Sequence, residues 1–205
     1  MAAPGLKRDA FARPGLLQGR AIDLVPLNSH HRDALRAVAA LDQGIWTYFP
    51  MDFNGAGDDF DGWFDRSMQL SAEDIHYPFA VKRRDDHAII GTTRLYDMFP
   101  VHRRLAIGST WYAPDARGTL VNAEVRLLTL TYVFEELAVN RVELITDPHN
   151  LSSQAAMRIL GAVQEGVIRR HLIYKDGRVR DSLLFSILND EWTSVRQRLV
   201  STLGW

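Results

Sequence analysis

A strand, a short loop and a long helix follow one another in the middle of the chain, and this order can build a site for an anion. The pattern predicts the strand over residues 107–112 and the helix over 122–137. The start of a helix presents backbone N–H groups without acceptors and the positive end of the helix dipole, which together suit a pyrophosphate. Asn122 is a good N-cap candidate, Thr119 offers a hydroxyl, and Arg117 can add a charge-assisted contact. A plain strand-to-helix connection with a solvated arginine explains the same residues about as well.

The residue types present exclude several other chemistries. The chain has no cysteine, which rules out disulfides, thiolate metal sites and a cysteine nucleophile. Any group transfer must therefore go directly to an acceptor or use another nucleophile. We expect no metal, since His30 and His31 lack ligand partners at metal spacing. The formal net charge of -1 gives no general reason to bind nucleic acid or an anionic membrane.

The sequence shows no targeting or membrane-spanning pattern. No apolar run approaches the roughly 20 residues that span a bilayer. Residues 1–18 lack the apolar stretch of a signal peptide. We therefore expect a cytoplasmic protein that contacts no membrane.

One domain is expected to follow a short arm. Residues 1–19 contain Pro4, Gly5, Pro14 and Gly15 with little periodicity, which predicts a loose arm, or a segment that packs late, before a domain over 20–205. Strands are expected at 21–25, 78–82, 88–95, 104–112, 141–146, 162–167 and 181–188. Helices are expected from Asn28 or Ser29 to 41, from Asp58 or Asp59 to 70, and at 122–137, 152–160 and 190–203, with an aromatic-rich loop at 44–57. This order predicts an α+β fold with a mixed sheet.

The middle of the chain resembles the GCN5-related N-acetyltransferase (GNAT) superfamily. Members carry an Arg/Gln and glycine motif in the loop before the long helix, then a glutamate, a Phe-Glu tail and an Asn-x-x-Ser helix start. The matching residues here are Arg117, Gly118, Glu124, Phe134, Glu135, Asn150, Ser153, Leu160, Gly161, Glu165 and Gly166. The likeness covers nearly the whole chain beyond the arm. It is closest to the branch that acetylates ribosomal-protein N-termini, which has many relatives acting on small molecules.

The resemblance implies a GNAT fold, with a mixed, mostly antiparallel central sheet flanked by helices in three layers. It implies an acyl-CoA-dependent N-acyltransferase that passes acetyl from acetyl-CoA, or another short acyl group, directly to a primary amine. The acceptor is then a protein N-terminus or a small molecule. Two alternatives stay open: a non-catalytic acyl-CoA-binding module, and a transferase of a larger acyl group such as succinyl. A homodimer also stays open.

The resemblance further implies which residues meet the cofactor. In the family a β-bulge amide polarises the thioester carbonyl, and by position that donor is Thr110, Trp111 or Tyr112. Asn150 is expected to bind the cofactor or to cap a helix, and Ser153 to place a hydroxyl near the thiol sulfur or to cap the same helix. The phosphate loop is expected to comprise Arg117, Gly118, Thr119, Leu120, Val121 and Asn122.

The acceptor side offers weaker candidates. Asp97 can act as a base or as an anchor for the acceptor, or it can simply form a turn. Trp46, Tyr48 and Phe49 can line an acceptor pocket, and they are equally well explained as core aromatics.

Four positions depart from the family pattern. Leu120 and Asn122 stand where the family has small residues in the loop, which restricts how closely the backbone approaches a phosphate. Met157 stands in place of a tyrosine that reprotonates the leaving thiolate, and Ala106 in place of a glutamate. These departures motivate the binding-module alternative.

Overall fold

The fold is built on one eight-stranded sheet with helices on both faces. The computed structural model describes residues 11–49, 59–174 and 176–205. The strands are β1 (Leu17–Gln18), β2 (Ile22–Pro26), β3 (Tyr77–Arg83), β4 (Ile89–Phe99), β5 (Arg104–Tyr112), β6 (Arg141–Thr146), β7 (Val163–Ile173) and β8 (Val179–Leu188). The helices are α1 (Arg32–Ala40), α2 (Phe60–Ala72), α3 (Val121–Thr131), α4 (Leu151–Leu160) and α5 (Trp192–Leu203). The α+β fold with a mixed sheet is therefore confirmed.

The sheet is mostly antiparallel, with one parallel junction in its middle. Its order is β1-β2-β3-β4-β5-β6-β8-β7, and among these neighbours only β5 and β6 run parallel. Those two strands pair over a short stretch alone, where Arg104, Leu105 and Ala106 face Arg141, Val142 and Glu143. The second half of β5 continues against β4, and the second half of β6 continues against β8. The two strands therefore diverge and leave a cleft in the sheet.

A β-bulge lies on β5 at the place where it leaves β6. Between the pairs Arg94–Gly108 and Thr92–Trp111, β5 contains one residue more than β4. Ser109 takes up the extra length with a φ of 48°. The bulge reverses which face each side chain points to, so Ile107 packs in one core cluster and Trp111 in the other.

Two apolar clusters hold the layers together. The larger one joins the sheet to α3, α4 and α5, with Val125, Leu130 and Phe185 among its most buried members. The smaller one joins the opposite face of the sheet to α1 and α2 and is rich in aromatics. Trp46, Trp63 and Trp111 meet there with ring centroids 5.6–5.8 Å apart. The cleft between β5 and β6 thus opens inside a framework that is packed on both sides.

Part of the predicted N-terminal arm packs against the rest of the fold. Residues 1–10 lie outside the described residues, whereas residues 11–19 make defined contacts. Phe11 is buried in the larger cluster, Leu17 pairs with Leu24, and the hydroxyls of Tyr77 and Tyr132 donate to the carbonyls of Phe11 and Ala12. Long-range contacts, invisible to local periodicity, hold this segment.

The long central helix and the strand β4 also differ from their predicted extents. The prediction joined residues 122–137 into one helix, whereas α3 ends at Thr131 and a π-helical turn over Tyr132–Glu136 completes it. Strand β4 was expected to end at residue 95, but it continues to Phe99 through an irregularity after Tyr96.

Candidate active site

The divergence of β5 and β6 opens two adjoining cavities. The first cavity, of about 360 Å³, runs from the loop before α3 to the face of α4. The second cavity, of about 600 Å³, continues from there across β4, β5 and the end of β8. Five residues line both: Thr110, Arg126, Asn150, Ser153 and Met157. We call these five residues the junction.

The loop before α3 presents backbone to the first cavity. Gly118 lines it with a φ of 70°, a left-handed conformation that favours glycine, and a Cβ there would meet no atom within 4 Å. The helix begins at Val121, whose amide donates to the Thr119 hydroxyl oxygen at 3.3 Å. The following first-turn amides have no intrahelical acceptors. This end of the cavity therefore offers backbone donors and a positive dipole to an anion.

Asn122 does not cap α3, so the prediction of an N-cap at this position is wrong. It lies inside the first turn, and its side-chain oxygen accepts a hydrogen bond of 3.1 Å from the Tyr112 hydroxyl. Both residues line the first cavity. The N-cap position is Leu120, whose side chain forms no cap hydrogen bond. The preceding Thr119 accepts from the Val121 amide, and its own hydroxyl donates to the Ala116 carbonyl at 2.7 Å.

Arg117 lines the first cavity but already has partners. Its Nε donates to the Tyr112 carbonyl at 2.9 Å, and its Nη1 forms an ion pair of 2.5 Å with Asp42. The hydrogen bond from Arg117 lowers the pKa of the Asp42 carboxyl. The guanidinium is thus held in place by these two contacts, which occupy its Nε and Nη1 donors.

Asn150 and Ser153 bring the start of α4 to the junction. The Asn150 side-chain oxygen accepts from the Ser153 amide at 3.1 Å and from the Ser152 hydroxyl at 3.0 Å. Asn150 therefore caps the helix, and it also lines both cavities. The sequence treated capping and binding as alternatives, whereas the geometry combines them.

Asp97 lies at the exposed rim of the second cavity, inside β4. It was placed on a loop by the sequence prediction, but it occupies the irregular stretch of the strand with a φ of 47°. Desolvation, followed by the negative charge of Glu143, raises the pKa of its carboxyl. A carboxylate with a raised pKa is a better proton acceptor near neutrality.

The other predicted site residues divide between cavity and core. Tyr48 and Phe49 line the second cavity. Trp46 and Trp111 are buried in the smaller apolar cluster and line neither cavity. Leu120 is exposed and Val121 packs against the larger cluster, also away from both cavities. The bulge places Thr110, rather than its two successors, at the junction.

A buried carboxylate organises the wall of the second cavity. Asp147 accepts hydrogen bonds from the Tyr174 hydroxyl at 2.6 Å, from the His149 amide at 2.7 Å and from Arg178 at 3.2 Å. Although burial acts in the opposite direction, these hydrogen bonds lower the pKa of Asp147 to about 2. The Tyr48 hydroxyl donates to the His149 carbonyl at 3.2 Å, which ties the aromatic loop to the same wall.

Sequence reasoning missed most of the ionisable groups of the second cavity. They are Arg66, His76, Arg126, Asp147, His171 and Arg180. Burial, reinforced by the positive charges of Arg94 and Arg66, lowers the pKa of His76 to about 4, so this imidazole is neutral at physiological pH. These residues come from separate elements, and no local motif connects them.

No helix in the described part of the chain is both long and apolar enough to cross a membrane. Within the same residues, histidine and carboxylate side chains form no group of three or more that could hold a metal ion.

Comparisons with known proteins agree on one family. The family model described as an acetyltransferase (GNAT) domain matches residues 22–163. The Bacillus subtilis protein YdaF, named provisionally as a ribosomal N-acetyltransferase, is 34% identical over 108 residues, which cover 52% of this chain and 57% of YdaF. YoaA from the same organism, named as an uncharacterized N-acetyltransferase, is 27% identical over 54% of this chain and 61% of its own length. The matched region thus spans less than two thirds of either relative.

Solved structures match over nearly the whole chain. A GCN5-related N-acetyltransferase from Brucella melitensis is 28% identical with a TM-score of 0.82, covering 94% of this chain and 89% of that one. RimJ from Mycobacterium smegmatis, solved in complex with CoA-disulfide, is 22% identical with a TM-score of 0.75, covering 95% and 94%. At 22% identity, the match to RimJ shows a shared fold and nothing more.

Proposed function

Because the chain belongs to the GNAT acetyltransferase family, we propose that it transfers an acetyl group from acetyl-CoA, or another short acyl group from its CoA thioester, directly to a primary amine. The observation that carries the proposal is the cleft between β5 and β6, with a bulge at its edge and a helix start at its end. This arrangement fits an extended thioester with an anionic tail. The CoA thioester supplies the activated acyl group.

The residues of the first cavity suit the phosphate-bearing end of the cofactor. Gly118 leaves open space beside the backbone, and the first turn of α3 offers amides and a positive dipole to a diphosphate. Arg117 would add a cation, sharing its donors with Asp42. Thr119 would contribute by holding the loop in shape, since its hydroxyl oxygen already accepts from the Val121 amide.

The junction suits the reacting end. The divergence of β5 from β6 and the bulge at Ser109 leave main-chain groups near Thr110 without a neighbouring strand. An amide at this place would polarise the thioester carbonyl and stabilise the oxyanion that forms on it. Ser153 would present its hydroxyl toward the leaving sulfur, in a position where Met157 offers no proton.

The second cavity suits the acceptor amine. The attacking amine must be neutral, which is easier for an α-amine, with a pKa near ~8, than for a lysine near ~10.4. Arg66 and Arg180 line this cavity, and their positive charge disfavours the ammonium form. Asp97 at the rim would accept the proton. The name of YdaF, a ribosomal N-acetyltransferase, supports a protein amine as the acceptor, which we place at an N-terminus, with a small-molecule amine as the other class.

A thiol-release assay combined with calorimetry tests the proposal. Acetyl-CoA would be mixed with a panel of peptide N-termini and small primary amines, and binding of CoA would be titrated separately. We expect CoA to bind and free thiol to appear with at least one amine class. Binding without turnover across the panel would favour the non-catalytic module, and absence of binding would refute the proposal altogether.

A further inference from the structure

Arg126 is a charged side chain at the centre of the site that the family pattern does not explain. It follows Asn122 by one turn of α3 and lines both cavities. Among the five residues of the junction it is the only one that carries a charge. A cation at this place faces the point where the cofactor side and the acceptor side meet.

Within the described residues, the guanidinium of Arg126 forms neither a hydrogen bond nor an ion pair. Its Nη1 is enclosed, whereas the side chain as a whole is half-buried and lines both cavities. A buried charge without a partner is costly, and natural proteins normally pair such groups. Arg180, which is more deeply buried than Arg126, shows the ordinary arrangement, since it donates to the Tyr48 carbonyl and lies 4.0 Å from Asp147.

The surroundings of Arg126 do not neutralise it. The titratable groups that act on its charge are Tyr112 and Tyr96, and burial raises the pKa of both phenols, so they stay neutral. The charge of Asp147 is already shared with Tyr174 and Arg178. Asp97 lies at the exposed rim. The junction therefore presents a positive site that is open to both cavities.

We propose that Arg126 binds a carboxylate carried by a substrate of this enzyme. Guanidinium presents a planar fork of N–H donors that matches a carboxylate with two parallel hydrogen bonds. The inference rests on the proposed function, because that function places the transferred acyl group at the junction. The carboxylate belongs either to the far end of the acyl group, as in a dicarboxylic acyl-CoA, or to an acceptor that is an amino acid.

Matched substrate pairs distinguish the two sources. In the donor arm, succinyl-CoA and butyryl-CoA are compared with one uncharged amine, because their acyl chains have equal length and differ in the terminal carboxylate. In the acceptor arm, acetyl-CoA is supplied with an amino acid or with its amide. We expect kcat/KM to favour the carboxylate in one arm by about tenfold to a hundredfold, the usual range for a charge-assisted pair.

Variants of Arg126 test whether this side chain is responsible. Arg126→Met should remove most of the preference, and Arg126→Lys should leave an intermediate preference because it keeps the charge but not the fork. Arg158→Met is the matched control: it removes a positive charge from α4 outside both cavities, where Arg158 contacts Gln154 and Gln164. The control should keep the preference of the unmodified protein.

The outcomes separate this inference from the proposed function. Turnover without any carboxylate preference in either arm overturns the role of Arg126 and leaves the acyltransferase proposal intact. A preference that survives in Arg126→Met overturns it as well. If no pair is turned over, calorimetric titration of succinyl-CoA against butyryl-CoA still decides the donor arm, and absence of CoA binding refutes both proposals.

Discussion

The first and second cavities are built in different ways. The first is formed mainly by a continuous loop and by the starts of two helices, so its donors are largely backbone groups. The second collects side chains from β4, β5, β6, β7, β8, α2 and the aromatic loop, and its character comes from their charges. A site whose donors are main-chain amides keeps them when side chains are substituted. A site built from charged side chains changes when any one of them is replaced. On the proposed function, we therefore expect cofactor binding to depend on the first cavity and the choice of substrate on the second.

The largest effect is expected at the carboxylate that organises the second cavity. Asp147→Asn should lower the free energy of unfolding by about 3 kcal/mol at neutral pH, since it leaves the buried hydroxyl of Tyr174 and the exposed guanidinium of Arg178 without a charged acceptor. Chemical denaturation measures this loss. Asp181→Asn is a suitable control, because Asp181 is an exposed residue that accepts from the Arg170 amide. A loss of similar size in the control would contradict the special role of Asp147.

The same carboxylate predicts a pH dependence. Its folded pKa of about 2 is below the ordinary value of 3.8, so its ionised form stabilises the fold above that ordinary value. The stabilisation, about 2 kcal/mol, is lost as the pH falls from about 4 through about 2. The difference in stability between the unmodified protein and Asp147→Asn should therefore shrink over this window. A difference that stays constant from pH 7 to pH 2 would show that charge is not the cause.

A smaller effect is expected at the glutamate of the family motif. The buried Glu124 accepts from the backbone amides of Arg20, at 2.5 Å, and Ala21, at 3.0 Å, and so ties the start of β2 to α3. Glu124→Gln should lower the free energy of unfolding by about 2 kcal/mol, the range of charge-assisted hydrogen bonds. Calorimetry should show acyl-CoA affinity within threefold of the unmodified protein, about 0.6 kcal/mol. A larger loss of affinity would place this residue in the site itself.

The next effect concerns the backbone of the first cavity. Gly118→Ala introduces strain at a φ of 70° and a methyl group facing the proposed diphosphate, so CoA affinity should fall about fivefold to thirtyfold. Gly177→Ala is the matched control, with a φ of 81° and equally open space in the β7–β8 connection. It should cost similar stability without changing affinity. Equal CoA affinity in the two variants would show that the diphosphate does not bind at this loop.

The smallest effect is expected at the ion pair between Asp42 and Arg117. Asp42→Asn releases Arg117 from an exposed ion pair, and the freed guanidinium should tighten CoA binding by less than about threefold. Salt should reduce the gain, because exposed charges are screened. Weaker binding in this variant would mean that Asp42 holds Arg117 in its productive position.

Sequence reasoning described the first cavity better than the second for a physical reason. Strands β5 and β6 have the predicted bounds, and the loop before α3 was recognised, because each depends on neighbouring residues. The roles of Asn122 and Asn150 needed three dimensions, since a distant tyrosine engages one and a cavity wall includes the other. Arg126 reads as an ordinary helical arginine in the sequence. Only the folded structure shows that Arg126 has no hydrogen-bond partner among the described residues and lies beside residues of β5 and α4.

A crystal structure of the protein with acetyl-CoA would show where the cofactor binds. We expect the thioester arm to lie between β5 and β6, with its carbonyl beside the bulge at Ser109 and Thr110 and its diphosphate at Gly118 and the first turn of α3. A cofactor bound elsewhere, with the cleft closed by side chains, would contradict this expectation.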